Sequence, residues 1–152
     1  MRYFCLLLCL LTPCLAKAAN SVVLSSTVFL EKTVADANGR QHVVLEEPKV
    51  VTPGDRLVFI LNYRNVGNAP ASEFIVTNPL PSAVSYQGSG ESAEVSIDGG
   101  KSWGALAVLR KREPDGSWRA ARPEDVTHVR WALNRAIPAG AEGRLSFRGV
   151  VR

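Results

Sequence analysis

Ser96, Asp98, Gly100 and Trp103 follow the spacing S-x-D-x-G-x-x-W within VSIDGGKSWG, residues 95–104. Three chemistries use such a grouping: a carboxylate that works on a sugar, a calcium loop, or the turn of a hairpin. An EF-hand loop needs D-x-[DN]-x-[DN]-G, which this stretch lacks. Asp98 is followed by two glycines. An aspartate there accepts hydrogen bonds from the amides just after it, and glycine takes the left-handed backbone that a tight turn needs. The expected role of Asp98 and Gly100 is therefore structural, with Trp103 folded back on the turn.

Other catalytic groupings are weaker. His42 and His128 are the only histidines and are not spaced as a ligand pair, which disfavours a zinc site. G-x-S-x-G and a phosphate-binding glycine loop are both absent. Ser25-Ser26-Thr27 has no adjacent base. Glu46, Glu47 or Asp98 could form a carboxylate pair for glycoside hydrolysis only by convergence in the fold. His128, Arg130 and Trp131 are the most site-like trio, yet on a strand His128 and Arg130 share a face while Trp131 points away. The 95–104 pattern also resembles the Asp-box of sialidase-like propellers, a repeated folding motif; one copy cannot build a propeller. The expectation is a chain with no catalytic residue, cofactor or metal.

Trp118 stands among Arg110, Arg112, Arg119 and Arg122. Tryptophan with arginine is the composition of interface hot spots, and these five residues form the candidate partner surface. The bland alternative is a tryptophan that caps the sandwich, with guanidinium stems packed around it. A sugar-binding module would need two or more exposed coplanar aromatics. Trp118, Tyr63 and Tyr86 are the candidates.

Arg2, an apolar run from Tyr3 to Leu11, Pro13 and Ala16-Lys17-Ala18 have the layout of a secretory signal peptide. Cleavage after Ala18 is expected, leaving residues 19–152 as one domain. Leu11-Thr12-Pro13-Cys14 resembles a lipobox at its leucine, but proline stands where a small residue belongs. Cys5, Cys9 and Cys14 all lie in the leader, so the exported chain is expected to form no disulfide. Of 18 basic residues the leader holds Arg2 and Lys17; the remaining 16 face 14 acidic ones, a net charge of +2. Residues 19–100 carry five basic and nine acidic side chains, and residues 101–152 eleven and five. A basic half of an exported protein implies arginines on exposed strand faces rather than a nucleic-acid site. The apolar run is too short to span a bilayer, so the mature chain is expected to have no transmembrane segment.

The elements that must position these residues are strands. Period-2 alternation marks 22–34 (one strand, or two broken near Ser25-Ser26), 43–46, 56–64, 73–77, 84–86, 93–97, 127–133 and 142–152. In 56–64, Leu57, Phe59, Leu61 and Tyr63 form one face. Val129, Trp131 and Leu133 face inward, as do Leu145, Phe147 and Val151. Asn38-Gly39 and Thr52-Pro53-Gly54-Asp55 read as turns. The prolines of Asn78-Pro79-Leu80-Pro81 exclude a central strand there. Leu106 and Val108 can continue a strand, with 106–112 and 117–120 pairing across Glu113-Pro114-Asp115-Gly116. No strong helix is visible. This is an all-β chain of about seven to nine strands, arranged as a sandwich.

Val51-Thr52-Pro53-Gly54-Asp55-Arg56-Leu57, Tyr63-Arg64-Asn65-Val66-Gly67-Asn68 and Val76-Thr77-Asn78-Pro79-Leu80-Pro81 together resemble the DUF11, or conserved repeat, domain of bacterial and archaeal surface proteins. The likeness runs from Lys49 to Arg152. It implies an immunoglobulin-like β-sandwich in an exported protein, periplasmic or secreted, without enzymatic activity. Asn78 replaces the family's usual aspartate, and a single copy argues against a pure spacer. In physical terms Pro53, Gly54 and Asp55 make a turn, Asn65 and Asn68 cap loop backbone, and Pro79 and Pro81 stiffen the strand exit. The function expected is interaction with another envelope or extracellular protein; the alternative is a small carbohydrate-binding module.

Overall fold

The computed structural model describes residues 22–90 and 92–152. The expected leader, with Cys5, Cys9 and Cys14 and the expected cleavage point after Ala18, lies outside them. The described residues form ten strands: β1 (Val22–Ala35), β2 (Gln41–Glu46), β3 (Arg56–Asn65), β4 (Phe74–Pro79), β5 (Val84–Ser89), β6 (Glu94–Ser96), β7 (Arg110–Arg112), β8 (Trp118–Ala120), β9 (His128–Leu133) and β10 (Glu142–Val151). The only helical pieces among them are single 3-10 turns at Leu106–Val108 and Pro123–Asp125. Among the described residues, no helix is long and apolar enough to cross a membrane.

All pairings are antiparallel. One sheet has the order β2-β1-β3-β10-β5, a second β4-β9-β6, and β7 and β8 form a separate ribbon. Alternation explains the core. Leu57, Phe59 and Leu61 from β3 and Leu145, Phe147 and Val151 from β10 meet Val76, Val95, Val129 and Trp131 of the smaller sheet. Phe59 and Phe147 stand opposite each other in register and stack at 4.4 Å. Trp131 tilts against Phe147 at 6.0 Å and donates its indole N–H to Ser89 Oγ at 3.2 Å. Each large apolar side chain of this set removes about 1.5–3 kcal/mol worth of surface from water.

The turns behave as their residues require. Gly54 has a φ of 96°, and Asp55 N–H donates to Thr52 O at 3.0 Å. Gly54 N–H also donates to Val151 O at 2.8 Å, which ties this turn to the end of β10. Asn65 is 1% exposed. Its amide donates to Ala69 O and Ile137 O, both at 2.8 Å, and its Oδ1 accepts from Gly67 N–H. Pro81 O accepts from Val84 N–H and closes the loop into β5.

One open alternative is decided, and the bounds of two expected strands need correction. β1 is unbroken across Ser25-Ser26, because every residue from Val22 to Glu31 pairs with β3. Asn78 and Pro79 belong to β4 and stand opposite Val129 and His128. That sheet position is an edge, where the missing proline N–H costs no ladder bond. Leu106–Val108 coils instead of extending, and the ribbon begins only at Arg110.

Candidate functional site

The ribbon β7–β8 alternates cleanly. Arg110 lies opposite Ala120, and Arg112 opposite Trp118. Val108, Arg110, Arg112, Trp118, Ala120 and Arg122 are exposed, whereas Leu109, Lys111, Glu113, Arg119 and Ala121 are partly buried. Arg122 keeps the outward phase because the chain stays extended there (φ −117°, ψ 162°). Paired strands put facing residues on one side. Four members of the candidate surface, Arg110, Arg112, Trp118 and Arg122, therefore share the outer face. Trp118 is 63% exposed. Arg110 and Arg112 make no ion pair among the described residues.

Arg119 departs from that group. It points inward and forks onto Asp125, with Nη2 at 2.9 Å from Oδ1 and Nη1 at 2.5 Å from Oδ2. Its Nε pairs with Glu113. Lys111 Nζ reaches the same Oδ1 at 2.6 Å, and Arg122 N–H donates to Oδ2 at 2.8 Å. The Asp125 side chain is only 3% exposed. These bonds, Arg119 first, hold its carboxyl well below the usual carboxylate range, against the opposing pull of burial. The Asp125 hydrogen bonds in turn raise Arg119 above its ordinary value. Pro123 pre-sets the backbone of the 3-10 turn that carries Asp125, and Val126, buried next to it, joins the core. Lys111, Glu113 and Asp125 were not assigned to the site at the level of sequence. The available signal was parity: Lys111 between two arginines must face the other way.

The Asp98 turn has the form its residues predicted. Asp98 Oδ1 accepts from Ser96 Oγ, Lys101 N–H and Ser102 N–H at 2.7, 3.1 and 3.0 Å. Oδ2 accepts from Ser102 Oγ at 2.6 Å. These donors, the Ser102 hydroxyl foremost, hold its carboxyl well below the usual range. Gly99 and Gly100 have φ of 79° and 88°. Trp103 donates its indole N–H to Gly100 O at 3.0 Å. The Arg130 guanidinium lies 4.3 Å from the Trp103 ring centre, and His128 meets that ring edge-on. His128 and Arg130 thus share a face that Trp103 covers, while Trp131, 1% exposed, lies in the core.

Glu46 and Asp98 do not meet. Glu46 sits on β2 and is bonded to Lys32 at 2.8 Å, whereas Asp98 follows β6 of the other sheet. His42 is on β2 and His128 on β9, again in separate sheets. The charge imbalance along the sequence is partly cancelled in space. Arg130 pairs with Glu94, and Arg148 with Glu31. A groove of about 640 Å³ runs past Tyr63, Trp131, Leu133, Arg135, Glu142 and Leu145.

No family model matches this chain, and no match was found among curated proteins or solved structures.

Proposed function

We propose that this chain is an exported, non-catalytic immunoglobulin-like module that binds an acidic segment of another envelope or extracellular protein. The observation that carries this reading is the division of the ribbon into two faces. Asp125 fixes the inner face, so the outer one presents Trp118 and its arginines without first having to be ordered. Preorganised aromatic and guanidinium groups are what binding hot spots consist of. Unpaired arginines select an acidic partner. The leader-like residues 1–18 and the likeness to DUF11 in the turns at 53–55, 65–68 and 78–81 support export and an immunoglobulin-like topology.

The test is a crosslinking pull-down from envelope extract with the exported protein and a Trp118→Ala, Arg112→Ala variant. A specific acidic protein recovered by the native chain and lost from the variant supports the reading. Identical recovery by both, together with saccharide binding on a glycan array, overturns it in favour of a carbohydrate-binding module.

A further inference from the structure

β1 is longer than the neighbour on its outer side. β3 pairs with Val22–Glu31 along one flank, but β2 covers only Leu30–Ala35 along the other. Residues Val22 to Phe29 therefore have a vacant flank among the described residues, in line with β2. Half of the backbone N–H and C=O groups of a strand point to each side, so this stretch is a template for one more strand. It also lacks the usual protections. Val22 to Leu30 holds no charge, proline or glycine. Other sheet edges are blunted: β2 is short and followed by Glu47-Pro48, β4 ends in Pro79, the β5 pairing is bulged at Gly88, and β6 is bridged to Gly104. Val23 and Leu24 are 55% and 46% exposed on the open stretch.

We propose that this edge pairs with the same edge of a second copy, joining two five-stranded sheets into one. A two-fold axis normal to the sheet returns each face to itself, so residues that meet must have the same parity. β2 blocks pairing beyond Phe29. The register centred on Ser26 satisfies both conditions and uses all of the free stretch except Val22, whose counterpart Leu30 is taken by β2. It sets Ser26 against Ser26, Ser25 against Thr27, Leu24 against Val28 and Val23 against Phe29 of the second copy. Each exposed apolar residue then faces a partly buried apolar one, and each hydroxyl faces a hydroxyl. Cross-strand pairs of these kinds stabilise sheets, and an isologous contact of this kind closes at two subunits.

Sedimentation of the exported protein is expected to show its mass doubling with concentration. Ser26→Asp and Ser26→Lys each place like charges opposite one another and should each stay at half that mass. An equimolar mixture of the two should recover the doubled mass as a mixed dimer. Ser26→Cys should crosslink to itself under oxidation, and Ser25→Cys should not. Ser26 is exposed, so at concentrations where the native chain is a monomer the thermal melts of the charged variants are expected to match it. A concentration-independent monomer, or a dimer indifferent to both charges, overturns the proposal. Slow exchange in a monomer at those amides of Val22–Phe29 that point away from β3 also overturns it, since another segment then fills the edge.

Discussion

Asp98 and Asp125 each accept four hydrogen bonds, but from opposite kinds of donor. Those on Asp98 are neutral and come from residues two to four positions away. Those on Asp125 come chiefly from Lys111 and Arg119, two cations on different strands. One carboxylate shapes the loop it belongs to. The other, buried at 3% exposure, joins the ribbon to the 3-10 turn beside the core. The same side chain thus makes a self-contained turn in one place and a long-range clamp in another. What separates them is where the donors sit in the chain and whether they carry charge.

Removing the clamp should have the largest effect. Asp125→Ala leaves Lys111 and Arg119 without their shared partner, and unfolding in denaturant is expected to lose about 3 kcal/mol, the lower end for a buried pair. The lower end applies because Lys111 remains 42% exposed. Hydrogen exchange at the amides of β7 and β8 should accelerate together. An Asp125→Ala chain as stable as the native one would dissolve the contrast with Asp98. Next in size is Gly100→Val. It forces a β-branched residue to a φ of 88°, with the new Cβ 3.5 Å from the Trp103 ring, and should cost about 1–3 kcal/mol by thermal melt. Its effect should stay local, leaving exchange in the ribbon unchanged.

Acid gives a third comparison. Both carboxylates have folded values below their unfolded one. Their contributions are therefore complete above about pH 5 and fade as pH falls toward the folded values. Asp125→Asn should flatten the acid limb of a stability-against-pH curve. An acid limb unchanged in that variant would mean that the clamp contributes nothing through its charge. The smallest expected effect on stability is that of Trp118→Ala, within about 0.5 kcal/mol of the native chain, because the ring is 63% exposed. Loss of partner capture without loss of stability would separate the outer face of the ribbon from the inner one.

Strand identity was legible because period-2 alternation is strong where one face is buried. Leu57, Phe59 and Leu61, then Val129 and Trp131, then Leu145 and Phe147 all point inward as their parity requires. The Asp98 turn was legible because its donors are its sequence neighbours. The inward turn of Arg119 was not, because Asp125 comes into its reach only through the 3-10 turn at Pro123–Asp125. Pro79 excluded a central strand correctly, since β4 is an edge; that β4 runs on past Thr77 through Asn78 and Pro79 was not legible, because its partner β9 lies far along the chain. Val58 faces away from the sheet interface and is still buried, at 5% exposure. It stands opposite Phe29 on one neighbour and Arg148 on the other, a shelter that alternation along a single strand cannot reveal.

The order of the large sheet also has a mechanical consequence. β1 and β10 both run antiparallel to β3, so they are parallel to each other. Val22 lies beside Asn65 at one end of β3, while Val150 lies beside Arg56 at the other. Tension applied between these two points acts along the strands. It loads the β1–β3 and β3–β10 ladders in shear, so that their hydrogen bonds must yield together and cannot unzip one pair at a time. A tether attached at residues 22 and 151 should therefore yield at a higher force than one attached across β10 and β5 at the same end.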